Sequence, residues 1–274
     1  TLHTLFPYTT LFRSDAIHLA RTLIGRGYNA FNIWKSLGDA CSIFSWVQGR
    51  LPDFPHLVMK ELFQGEDVGE SSGLFADIDG VGKDVVLADG LFPDDEQGAV
   101  NLTRCLHGSL LCHKRAIQAS ANDVHAQAVA YYNLGWSEYR AHVCLRPKAK
   151  KSTRYLKAAI RCFKRAIELE ASNAEFWNSL GVVTSELSPR VAQHSFVRSL
   201  FLNERSAQAW TNLGTLALLQ NDHQVANEAF TRAQSTDPEF GHAWVGQGLV
   251  ALLFGDPKEA RLLFTHRSEE HTSE

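Results

Sequence analysis

A tryptophan, a leucine and a glycine that return every 33 or 34 residues constrain this chain more than any other feature. The block Trp210, Leu213, Gly214, Ala217, Ala226, Phe230, Ala233 and Pro238 has the spacing W-x2-L-G, then A-x3-F-x2-A and a closing proline. Thirty-four residues on stand Trp244, Gly248, Ala251, Ala260 and Phe264, with Gln247 in the place of the leucine. Thirty-three residues earlier stand Trp177, Leu180 and Gly181, followed by Ala192, Phe196 and Ser199 one position early, which puts a one-residue deletion near Ser188–Pro189. A period of this length marks a stack of two-helix units, none of which can bury its apolar face alone. Small residues at Gly181, Gly214 and Gly248 let antiparallel helices approach closely. The Trp and Phe rings fill the remaining space, each worth about 1.5–3 kcal/mol when buried.

The pattern resembles the tetratricopeptide repeat, which implies an all-α solenoid: a right-handed superhelix of helical hairpins. A fourth repeat is longer. Tyr131, Leu134 and Gly135 open its first helix, and Ala159, Phe163 and Ala166 belong to its second, with 12 extra residues between them around Arg146 to Ser152. An insertion there lengthens a surface turn and is tolerated. Trp34, Leu37, Gly38 and Cys41 repeat the first-helix pattern once more, and a helix over about Ala16 to Ile24 reads as the second half of an earlier repeat. Ser188–Pro189, Asp237–Pro238 and Asp256–Pro257 each set a capping side chain before a proline at a first helical position, and Gly255 is a helix stop.

Between Pro52 and Gly98 the period vanishes. A short helix fits Leu57 to Phe63, and a Gly- and Asp-rich stretch follows. From Glu61 to Glu96 there are eleven acidic residues against the single Lys83. This composition predicts a disordered acidic loop set into the solenoid. Asp77-x-Asp79 lacks the further ligands of a calcium loop, and Gly80-Val-Gly82-Lys83 lacks the first glycine of a phosphate loop. The opposite charge lies between Arg140 and Ile167, with ten Lys or Arg and no acidic residue. There Arg154, Lys157, Arg161 and Lys164 fall on one helix face, a stripe suited to electrostatic contact with RNA phosphates or an acidic partner.

The two ends stand apart. Thr4 to Ser14 and Arg267 to Glu274 match translations of sequencing adapters, and the one methionine is Met59. Residues 1–14 and 267–274 are therefore expected to be artefact, around an interior fragment of a longer protein. The expected organisation is partial hairpins over 15–51, the acidic insertion over 52–100, and an array of about 3.5 to 4 repeats over 101–266. Hydrophobic content of 45% and charged content of 21% suit a folded chain, and no apolar run reaches the roughly 20 residues that span a bilayer. The five cysteines form no C-x-x-C pair and read as reduced core thiols of an intracellular, cytoplasmic or nuclear, protein.

The scattered His, Asp, Ser and Cys residues form no nucleophile elbow, metal spacing or complete phosphate loop, so no enzyme activity and no cofactor is expected; His107, His113 and His194 read as surface or core residues. Function then falls to the groove that first helices line in such repeats. The positions that face it are Tyr132, Trp136 and Tyr139 with Arg140 beside them, then Asn178, Val182 and Ser185, then Thr211, Thr215 and Leu218, then Val245, Leu249 and Leu252. Aromatics with an arginine make a binding hot spot. A carboxylate clamp of the chaperone-receptor kind is missing, because Val129, His242 and Gly246 stand where its basic residues would be.

The stretches AEFWNSLGVVTSEL, QAWTNLGTLALLQND and HAWVGQGLVALLFGDP, with WKSLGDAC at Trp34 to Cys41, resemble the family of large tetratricopeptide scaffold subunits of the superkiller (Ski) complex. The resemblance implies a non-catalytic scaffold that assembles an RNA helicase with WD-repeat subunits and supports 3′-to-5′ mRNA decay by the cytoplasmic exosome. A cargo adaptor and the substrate-selecting arm of a glycosyltransferase are the alternatives.

Overall fold

A computed structural model describes residues 15–26, 30–63, 102–145 and 152–270. The Asp77 and Gly80–Lys83 motifs, the acidic stretch from residue 64 to 101 and the first 14 residues lie outside the described residues. The described chain is helical and divides into two compact units, one up to Glu170 and one from Ala171 onward. Unit 1 holds α1 (15–25), α2 (Phe31–Phe44), a 3-10 stretch (Gln48–Asp53), α3 (His56–Phe63), α4 (Leu102–Ala119), α5 (Val124–Leu145) and α6 (Ser152–Leu169). Unit 2 holds α7 (Ala174–Thr184), α8 (Pro189–Leu202), α9 (Ala207–Leu219), α10 (His223–Thr236), α11 (Gly241–Leu253) and α12 (Pro257–Glu270). The last helix runs through the first four residues of the 267–274 segment.

Unit 2 follows the sequence pattern closely. α7 pairs with α8, α9 with α10 and α11 with α12, and adjacent hairpins stack. In each hairpin the glycine of the first helix faces the phenylalanine of the second: Gly181 meets Phe196, Gly214 meets Phe230, and Gly248 meets Phe264. A Cβ at Gly214 would lie 2.9 Å from the Phe230 ring, closer than packed carbons allow. Phe230 also presses on Gly246 of the next hairpin, so one ring locks two hairpins. That contact explains why Gly246 is glycine at all. The tryptophans do a second job: Trp177, Trp210 and Trp244 each donate the indole N–H to the carbonyl six residues upstream, on Ala171, Glu204 and Pro238, at 2.8, 2.9 and 2.7 Å. Each ring thus ties a first helix to the turn that leads into it.

Helix ends agree with the expected signals fully at Asp256–Pro257, in the proline position alone at Ser188–Pro189, and shift at Asp237–Pro238. Asp256 accepts from Lys258 and Glu259 backbone N–H groups ahead of α12, and Gly255 takes φ +82° as the stop of α11. Asn221, 34 residues earlier, takes φ 61° and does the same for α9. Ser188 precedes Pro189 at the first position of α8, although its hydroxyl makes no capping bond. Asp237 and Pro238 instead form a turn, because α11 starts only at Gly241. Phe240 N–H donates to Asp237 there, and the Pro238 carbonyl is spent on Trp244.

Unit 1 holds a repeat that the sequence hides. α2 packs against α4, across the whole stretch 45–101, as the two helices of one hairpin. Gly38 faces His113, and a Cβ there would lie 2.7 Å from the imidazole, the same contact that Gly135 makes with Phe163 at 2.9 Å in the α5–α6 hairpin. Ser109, His113 and Ala116 therefore occupy the A-x3-F-x2-A positions. The Ser109 hydroxyl donates to the Gly38 carbonyl at 2.9 Å, where unit 2 has an alanine. Both insertions of this unit, 45–101 and 146–151, fall between the first and second helix of a hairpin.

The insertion expected from residue 52 begins as packed chain. Phe54, Met59 and Phe63 are buried, with Phe54 edge-on to Phe44 at 5.4 Å and Phe63 6.0 Å from Trp34. These apolar side chains return α3 to the hairpin before the acidic stretch starts, and Glu61 pairs with Arg21 of α1. Cys41, Cys105, Cys112 and Cys162 are buried free thiols, and Cys144 is partly buried.

Two outcomes follow. Phe230→Ala should cost about 3–5 kcal/mol and Gly246→Ala about 1–3 kcal/mol in urea unfolding of unit 2; a neutral Gly246→Ala would mean that Phe230 is not seated between the two glycines. His113 carries a buried Nδ1 without a partner among the described residues, and burial lowers its pKa from 6.5 to about 4. The unfolded chain therefore takes up the proton first as pH falls. Unit 1 should lose up to about 3 kcal/mol from this group between pH 6.5 and 4, and nothing above pH 6.5. His107, lowered to about 4 mainly by burial, adds its own share. His113→Phe restores the ring found in the other hairpins, so it should raise the melting temperature at pH 7 and flatten its fall toward pH 4; thermal unfolding across that range checks both.

Candidate functional site

The described surface has a pocket where the groove positions richest in aromatics lie. It occupies about 590 Å³ in unit 1, between the first helices of its two hairpins. α5 supplies Asn133, Trp136, Ser137, Tyr139, Arg140 and Val143; α2 and the turn after it supply Asp39, Ser42 and Trp46; His113 of α4 lies at the back. The α5 residues reach one wall because positions three and four apart share a helix face.

Packing holds this wall still. Trp136 lies edge-on to Phe163 at 5.5 Å and to Tyr139 at 5.9 Å. Tyr132, one turn earlier, is not at the pocket. It is half-buried against the same Phe163, 5.9 Å away, and against Trp136. The ring that closes the Gly135 contact thus also sets the aromatic wall.

Arg140 differs from its expected role as an open groove cation. Its Nε donates to the Ser45 hydroxyl at 3.1 Å and an Nη to the Ser45 carbonyl at 2.9 Å, one of the free carbonyls at the end of α2. The guanidinium also lies over the Trp46 ring, 3.5 Å from its centroid. Arg140 therefore clamps the turn after α2 and holds an indole that is 67% exposed. Trp46 was invisible to the repeat pattern, since it lies beyond the first helix. The signal that marks it is an unmatched tryptophan just past a repeat. On the opposite wall Lys35 donates to Asp39 at 2.7 Å, and His113 Nε2 is 3.6 Å from the same carboxylate.

The groove positions of unit 2 divide in two. Asn178 and Thr211 are buried, and Asn178 accepts from the Asn212 side chain at 2.9 Å across successive first helices. They serve the stacking of the hairpins rather than a partner, because a side chain next to the Trp position points into the joint between first helices. Thr215 and Leu249 are exposed, Leu218 is half-buried, and Val245 and Leu252 are exposed too. Thr215 already spends its hydroxyl on the Thr211 carbonyl, so the surface left is largely apolar.

The basic stripe stays on the outer face of α6. Arg154, Lys157, Arg161 and Lys164 are exposed, while Leu156, Ala159, Phe163 and Ala166 on the other face are buried. None of the four reaches the pocket. His107 bonds the Tyr155 hydroxyl at 2.8 Å, a packing contact, and His194 is a surface residue beside Trp177. Among the described residues no helix is long and apolar enough to cross a membrane.

A tetratricopeptide repeat family model matches residues 188–234 and 220–265. Superkiller protein 3 of Saccharomyces cerevisiae is 27% identical over 193 residues, 69% of this chain and 13% of that protein. Tetratricopeptide repeat protein 37 of Xenopus laevis is 29% identical over 219 residues, 76% of this chain and 12% of that protein. The chain thus spans about an eighth of the length of these relatives. A crystal structure of MamA superposes with a TM-score of 0.48 at 22% identity, covering 62% of this chain and 92% of that one. The chain thus has the fold of a tetratricopeptide-repeat solenoid, with residues 188–265 matching the repeat family itself, and is similar to superkiller protein 3 along a short part of that protein's length.

Proposed function

We propose that this chain is part of a non-catalytic scaffold of the superkiller type, which holds an RNA helicase and WD-repeat subunits together in the cytoplasm and supports 3′-to-5′ mRNA decay by the exosome. The observation that carries the reading is the likeness to superkiller protein 3 over 69% of the chain, coupled with repeats that spend their chemistry on packing. Trp136, Tyr139 and Arg140 in unit 1, and Thr215, Leu218 and Leu249 in unit 2, are the groove residues that a partner protein would touch. Asn178 and Thr211 hold the stack beneath them.

The natural protein that carries this segment is the material for the test. Affinity purification with ribonuclease, read by mass spectrometry, should retain a helicase and a WD-repeat protein at comparable abundance. Loss of both would remove the mRNA-decay assignment and favour a cargo adaptor. The α6 stripe belongs to the same reading as an electrostatic contact to RNA. Lys157→Glu with Lys164→Glu changes two exposed side chains and should lower the slope of log affinity against log salt for single-stranded RNA by about 1.4. An unchanged slope would make the stripe a solvated outer face.

A further inference from the structure

We infer that the unit 1 pocket is a docking site for a partner-protein segment in which a carboxylate side chain stands beside a bulky apolar one. The inference rests on the scaffold reading and names the ligand chemistry of one of its surfaces. Three observations carry it.

The first is shape. A cavity of about 590 Å³ has room for a large side chain and its backbone, and its walls are aromatic at Trp46, Trp136 and Tyr139. Trp46 and Val143 stand 67% and 44% exposed beside it, an unusual outlay of apolar surface for a solvated turn.

The second is charge. The Asp39 carboxylate is matched by Lys35 at 2.7 Å, and His113, buried with its pKa at about 4, is neutral at pH 7. Both acceptors of the Arg140 hydrogen bonds are uncharged Ser45 atoms. No carboxylate among the described residues pairs with it. Among the described residues, the pocket therefore carries one cation with no carboxylate partner in a largely apolar setting, where an incoming anion gains most. One such cation suits a carboxylate. A nucleic acid strand needs several in a row, and here the lysines and arginines of the stripe lie elsewhere.

The third is preparation. Arg140 and Trp46 are already fixed against each other and against the end of α2, so binding would not have to immobilise them. Asn133 adds an amide N–H that lacks an acceptor among the described residues, the donor that a peptide carbonyl requires.

The test is selection of a displayed library of random peptides, about twelve residues long, on the 274-residue chain. No superkiller subunit is present, so failure of the complex assignment and failure of this site are separate results. The expected consensus pairs Asp or Glu with Leu, Phe, Trp or Ile within a few positions. Val143→Lys and Val143→Glu then probe the charge at an exposed wall position that leaves the Arg140 clamp intact. The first should tighten a selected peptide, and the second should weaken it, each by about threefold to tenfold. Circular dichroism confirms that both variants are folded. A consensus without an acidic residue, no consensus, or equal effects of the two variants would overturn the inference. Binding seen only after deletion of residues 64–101 would make the chain's own acidic segment the occupant and would overturn the partner assignment.

Discussion

The contact on which the rest depends is an aromatic edge pressed onto a glycine. Without a side chain at Gly135, Gly181, Gly214 or Gly248, the two helices of a hairpin come close enough for a phenylalanine to lie on bare backbone. The ring then has contact on every side, and dispersion and burial combine at one point. Because Phe230 also covers Gly246, the contact that closes one hairpin sets the spacing to the next. Stability in such a stack is nearest-neighbour in character, so each lock matters locally and none organises the whole chain.

A lock between two helices is indifferent to what joins them. That indifference is why α2 and α4 close as a hairpin although residues 45–101 separate them, and why α5 and α6 close across 146–151. Loop closure costs grow only with the logarithm of length, and the closed hairpin sets the burial of Leu37, Cys41, Leu110 and Ala116 against that cost. The insertion contributes structure of its own where its residues are apolar, as Phe54, Met59 and Phe63 show. The pocket exists because two first helices lie next to each other here, and the turn that follows α2 brings Trp46 over to Arg140.

Much of this was legible from spacing. Every hairpin of unit 2 was readable from Trp, Gly, Ala and Phe, as was the α5–α6 hairpin from Tyr131, Gly135 and Phe163, because those residues make the packing contacts themselves. The second helix of the first hairpin was not legible. Ser109 and His113 replace the Ala and Phe that announce it, and a histidine in that slot reads as a polar surface residue until its burial is seen. The site was legible in part. Trp136, Tyr139 and Arg140 follow from counting along the first helix, whereas the clamp of Arg140 on Ser45 joins residues 95 apart, outside any repeat arithmetic. Asn178 and Thr211 were placed on the groove by the same counting and lie in the joint beneath it, since one position on a helix is 100° of rotation.

The central claim is that Phe31–Phe44 and Leu102–Ala119 are the two halves of one repeat. Native-state hydrogen exchange under increasing denaturant, read by mass spectrometry, addresses it directly. The account predicts that the two helices open with one common free energy, and that Leu37→Ala in α2 lowers protection of Leu102–Ala119 as much as of its own helix. Exchange of Leu102–Ala119 at an unchanged free energy in that variant would contradict it.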